Sequence, residues 1–255
     1  MIQKFLFSIP AFNQERMIRV YVPNNYHQTD IRYPVLYMHD GQNVFQDEEA
    51  FGGVSLGLED FLERTGLAVI VVAIDRHMSH EERINEYCPW VNGDYSKTIL
   101  GSTCPLGGKG EAYVDFIVHE LKPHIDRTYR TLADRSSMAG FSLGGLISTY
   151  AACRYPHIFQ RVAVMSSGFY RNQEEIEQLV SLSDLSAIEK FYLDFGTDEA
   201  GEDAEISQVF VKSNLSVYHL LETKIGCTEF QIIEGGRHNY TEFRNRVPQI
   251  FSFLF

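Results

Sequence analysis

The sequence predicts an α/β fold: a mostly parallel central sheet with helices on both faces. Three observations carry this. Strand-like apolar runs alternate with helix-like segments along most of the chain, the order that builds parallel sheets. Residues 34–39 and 67–74 are nearly continuous apolar runs, as strands buried on both faces require. Gly140-Phe141-Ser142-Leu143-Gly144-Gly145 sits between a small, apolar strand ending and a helix. In that setting Gly-x-Ser-x-Gly holds its serine strained and exposed.

Taken in order, residues 4–9 and 16–22 read as amphipathic strands. The second alternates Arg16, Ile18, Val20 and Val22 against Met17, Arg19 and Tyr21, which is strand period. The pair is expected to open the sheet in antiparallel fashion. Residues 34–39 form a strand turned by Asp40-Gly41-Gln42-Asn43, and 56–64 a helix capped by Gly66. Residues 67–74 are the most strand-like stretch, with β-branched or alanine residues from Val69 to Ala73.

Segment 75–110 fits neither period. It holds His77, His80 and the single tryptophan, Trp90. Loops this long are uncommon in compact domains and often functional, so it reads as a lid or pocket wall. A helix from 111 should run past Leu121, with Pro123 kinking or ending it. A strand near Ser136, the serine turn and a helix to Tyr155 follow. Then come strand 161–165, helix 172–180, strand 190–195, helix 206–225, strand 229–234 and a last helix from about 241. Nothing repeats, so residues 1–255 are expected to form one domain.

The composition is that of an ordinary globular chain, 44% hydrophobic and 22% charged over 255 residues. A net charge of −12 argues against a nucleic-acid partner and an anionic membrane surface. No apolar run reaches membrane-spanning length. The apolar patch in residues 1–10 is too short for a secretory leader, so a cytoplasmic location is expected. Cys88, Cys104, Cys153 and Cys227 form no Cys-x-x-Cys pair and are too widely spaced for a disulfide framework. His77-x-x-His80-Glu81 matches no zincin pattern, and Gly107-Gly108-Lys109-Gly110-Glu111 lacks phosphate-loop spacing. No metal and no cofactor are expected.

A serine needs a base to take its proton and a third group to orient that base. In open α/β sheets ligands bind beyond the carboxyl ends of the strands. Three strand-following loops carry suitable groups: Ser142, then Asp198 and Glu199, then His238 after Gly235-Gly236. Serine, acid, histidine is the chain order of an α/β-hydrolase triad. An oxyanion hole needs two backbone N–H groups. Leu143 follows the serine, and Gln42 follows the turn at Gly41. Arg83, Tyr87 and Trp90 are candidates to line the substrate pocket, an aromatic wall suiting a bulky acyl group.

The chain resembles the "Putative esterase" family of α/β hydrolases, which includes esterase D, feruloyl esterases, enterochelin esterases and mycolyltransferases. The resemblance lies in Leu36-Tyr37-Met38-His39-Asp40-Gly41-Gln42-Asn43-Val44-Phe45, Asn85-Glu86-Tyr87-Cys88-Pro89-Trp90, the serine turn, Gly196-Thr197-Asp198-Glu199 and His238. It implies an α/β-hydrolase fold and Glu199 as the acid, with Gln42 and Leu143 as hole donors. Phe141 and Leu143 stand where many members have Ser and Met, which alters packing rather than chemistry. The expected activity is serine-dependent hydrolysis of a small-molecule carboxylic ester with a small or aromatic acyl group. An acyltransferase using the same triad, or a non-catalytic binding homologue, are the alternatives.

Overall fold

A computed structural model describes residues 1–255. Eight strands form one sheet: β1 (Ile2–Ile9), β2 (Gln14–Tyr21), β3 (Tyr33–Met38), β4 (Ile70–Ile74), β5 (Thr131–Phe141), β6 (Phe159–Met165), β7 (Lys190–Gly196) and β8 (Thr228–Ile233). Their spatial order is β1-β2-β4-β3-β5-β6-β7-β8. β1 pairs antiparallel with β2, and β2 antiparallel with β4. Every later pairing is parallel. This is the mostly parallel sheet that the alternating pattern implies.

The helices are α1 (Leu58–Thr65), α2 (His80–Tyr87), α3 (Lys97–Leu100), α4 (Gly110–Phe116), α5 (Lys122–Thr128), α6 (Leu143–Arg154), α7 (Gln173–Leu182), α8 (Ala204–Glu222) and α9 (Tyr240–Leu254). Successive strand residues point to opposite faces, and both faces are covered. Val35, Tyr37, Ile70, Val72, Val162 and Val164 pack into a core of 45 buried residues with α4 to α8. Leu36, Met38, Val71, Ala73, Ala163 and Met165 pack into a core of 22 with α1 and α9. Double-sided burial is why β3 and β4 read as unbroken apolar runs. α6, between the sheet and its neighbours, is buried from Leu143 to Cys153.

Two expectations change. Segment 75–110 is not structureless: it contains α2 and α3. Asn85 and Asn172 staple it down by hydrogen bonds to Gly107 N–H and to the carbonyl oxygens of Trp90 and Val91. Pro123 does not end the helical run. The chain passes from α4 through a π-helical turn (Ile117–Leu121) into α5. Pro123 lies in the first turn of α5, where a missing N–H is tolerated. All four cysteines are free thiols. No helix is long and apolar enough to cross a membrane.

Candidate active site

Parallel strands all end at the same rim of the sheet, so the loops after β3, β5, β6, β7 and β8 converge there. Four non-glycine residues have positive φ, and three of them follow these strands: Asp40 (54°), Ser142 (58°) and Ser166 (46°). Such conformations cost about 1–3 kcal/mol each and cluster at functional sites.

Ser142 has φ 58° and ψ −124° and leads directly into α6. The turn is this sharp because Gly140 has no side chain: a Cβ there would lie 2.2 Å from the Gly144 carbonyl. Gly144 itself has ordinary room, a Cβ meeting His39 at 3.4 Å. The steric demand between these two glycines therefore falls on Gly140.

Glu199 follows β7 and His238 follows β8. His238 Nδ1 lies 2.7 Å from Glu199 Oε2. The Glu199 side chain is 1% exposed and the His238 side chain 31%. Glu199 Oε1 accepts from Ser166 Oγ at 2.5 Å and from Gly196 N–H at 2.6 Å. Burial alone would raise the carboxyl pKa. The hydrogen bond and charge of His238, with the Ser166 and Gly196 donors, outweigh it and hold Glu199 below its ordinary value. Asp198 faces elsewhere, its carboxylate accepting from Thr197 Oγ1. β7 and β8 meet closely here: a Cβ on Gly196 would lie 2.0 Å from Gly236 O.

Behind Glu199 the network continues. Arg246 Nη1 donates to Ser166 Oγ at 2.9 Å and to Asp194 Oδ1 at 3.0 Å. Tyr192 OH donates to Asp194 Oδ2 at 2.8 Å. Burial pushes the Asp194 carboxyl up to about 6, against the pull of Arg246. Sequence reasoning overlooked Ser166, Asp194 and Arg246. Ser166 follows a strand ending at the functional rim, the same signal that singled out the other loops.

Gln42 and Leu143 lie in the first turns of a short helical segment (Gly41–Asn43) and of α6. First-turn N–H groups have no partner within their own helix. The Gln42 loop is pinned by its own side chain, whose Oε1 accepts from Arg76 N–H at 3.0 Å. It is also pinned by Asp40, whose carboxylate accepts from Arg83 Nε and Nη2 at 2.7 and 2.8 Å.

Two cavities share Ser142 and His238. One, of about 250 Å³, includes Asp40, Arg76, His80 and Arg83. The other, of about 190 Å³, includes Ile99, Tyr170, Ile206 and Phe210. Of Arg83, Tyr87 and Trp90, Arg83 alone borders either of these two cavities. Tyr87 is fully buried, its hydroxyl accepting from Asp40 N–H. Trp90 packs edge-on against Tyr150 at 5.4 Å and anchors the loop. Segment 75–110 contributes Arg76, His80, Arg83 and Ile99 instead. His77 Nδ1 accepts from Ser79 N–H, and no group of three His, Cys, Asp or Glu side chains could hold a metal ion.

The sequence matches the family described as "Putative esterase" over residues 9–254. It is 26% identical over 247 residues to the uncharacterised protein YbbA of Bacillus subtilis, covering 94% of this chain and 92% of that one. An IroE-like serine hydrolase from Shewanella oneidensis superposes with a TM-score of 0.79 at 17% identity, over 100% of this chain and 79% of that one. A ferulic acid esterase superposes at 0.72 and 19% identity, over 100% and 97%. At these identities the structural likenesses establish the α/β-hydrolase fold.

Proposed function

Since the chain belongs to the "Putative esterase" family, we propose that it is a serine carboxylic ester hydrolase. Ser142 attacks the ester carbonyl as His238 takes its proton. Glu199 fixes the imidazole tautomer and stabilises the imidazolium. The N–H groups of Leu143 and Gln42 hold the developing oxyanion, helped by the positive end of α6. The alcohol leaves with the proton from His238. Water then attacks the acyl-enzyme, with His238 again the base.

The observation that carries this reading is the meeting of Ser142 and His238 on two common cavities, with Glu199 buried against the far side of the imidazole. A series of nitrophenyl esters from acetate to octanoate, with methyl ferulate, tests it. Turnover by the native protein that disappears in Ser142→Ala is expected. Equal turnover by the variant contradicts it. An added alcohol acceptor in the same assay reads acyl transfer.

A further inference from the structure

The two cavities at Ser142 differ in chemistry, and that difference bears on the substrate. On one side stand Arg76, Arg83 and His80, with a single carboxylate, Asp40. Asp40 is occupied, both its oxygens taking nitrogens of Arg83. Arg83 Nη1 makes no hydrogen bond within the protein. Arg76 has no carboxylate partner at all. Its guanidinium lies 3.9 Å over the Phe51 ring, and its only side-chain hydrogen bond goes to the His77 carbonyl. By contrast, Arg16, Arg19 and Arg246 are each paired with a carboxylate.

The half-buried Arg76 guanidinium borders the Ser142 cavity without a carboxylate to neutralise it, in a chain with 34 acidic and 22 basic residues. Acidic side chains were abundant, yet none neutralises this one. Arginine side chains without a carboxylate partner bind anions by charge-assisted hydrogen bonds. On the other side the lining is apolar: Ile99, Tyr170, Ile206 and Phe210.

Building on the serine-esterase reading, we propose that the substrate is an ester of opposite halves. One half bears an anionic group, such as a carboxylate, held by Arg76 and Arg83. The other is an apolar or aromatic group lodged against Tyr170 and Ile206. The scissile carbonyl lies between them at Ser142.

Binding to Ser142→Ala tests this without requiring turnover. Benzyl hydrogen glutarate carries the charge on its acyl half, and the 3-phenylpropanoyl ester of glycolic acid carries it on the alcohol half. Benzyl pentanoate is the neutral reference. At least one charged ester is expected to bind about tenfold or more tighter than the reference, a typical gain for a charged hydrogen bond. The preferred ester shows which half carries the charge. The advantage should shrink between about 50 and about 500 mM salt and disappear when Arg76→Gln is added. Ile206→Ser should weaken charged and neutral esters alike. Equal binding of all three esters, or an advantage that survives Arg76→Gln in a variant with native circular dichroism, overturns the proposal. Preferential binding without hydrolysis by the native protein would sink the esterase reading and leave standing only the two-sided binding preference, anionic at Arg76 and apolar at Ile206. Hydrolysis without preference would do the reverse.

Discussion

Ser166 donates its hydroxyl proton to Glu199 Oε1 at 2.5 Å while accepting a hydrogen bond from Arg246 at 2.9 Å. One small side chain thus ties the carboxylate that contacts His238 to a buried Arg–Asp pair behind it. The arrangement stiffens Glu199 and favours its ionised form.

Ser166→Ala should therefore act through Glu199 rather than on substrate. The expected result is a fall in kcat of about tenfold with KM little changed, the cost of one hydrogen bond to a charged group. The acid limb of the kcat–pH profile should also move upward, because Glu199 loses one of the donors that lower its pKa. A steady-state pH series separates this from mere destabilisation, which would leave the limb in place.

The two neighbouring carboxylates should behave differently. Glu199→Gln presents the wrong hydrogen-bonding group to His238 Nδ1 and should cost about 10²–10⁴ in kcat. Asp198→Asn, which touches Thr197 rather than the histidine, should stay within about twofold. Parallel kinetics of the two variants check this. A collapse of both, or of Asp198→Asn alone, would reassign the acid.

The join between the acid and histidine loops depends on a close backbone approach. Gly196→Ala puts a methyl group 2.0 Å from Gly236 O, and backbone cannot yield as a flexible side chain can. A loss of about 3 kcal/mol or more in urea unfolding is expected, with activity falling beyond what the remaining folded fraction explains.

His39 gives the fold an acid sensitivity. Burial lowers its pKa from the ordinary 6.5 to about 4, and Nδ1 is hydrogen-bonded to Tyr113 OH. Between these values the unfolded chain binds a proton that the folded one refuses, so stability falls as pH drops through this window. The contribution is about 3 kcal/mol. Comparing the native protein with His39→Asn from pH 7 to 4 isolates it, since other groups cancel in the difference. The native protein should lose stability relative to the variant as pH falls. A difference independent of pH would contradict the assignment.

Local pattern made the sheet and its rim legible. Strand runs such as Val69 to Ala73 announce two-sided burial, and ligand-binding loops must follow parallel strands. What the sequence concealed is side-chain direction within segment 75–110. Tyr87 and Trp90 have the right chemistry for a pocket wall, yet one is buried against His39 and Asp40 and the other against Tyr150. Arg76 and His80, from the same segment, line the cavity instead. Helix α2 decides which side of the segment faces the serine, and its eight residues include only two apolar ones, Ile84 and Tyr87. Asp194 and Arg246 were hidden for another reason: they lie far apart in the chain, on β7 and on α9, and only the fold brings them to Ser166.

The most direct test of the central claim is covalent labelling by a fluorophosphonate, followed by intact-mass and peptide-mass analysis. One adduct per chain is expected, on Ser142, absent in Ser142→Ala and formed about 10³-fold more slowly in His238→Ala. No adduct on the folded native protein, or an adduct on another serine that persists in Ser142→Ala, would contradict the account.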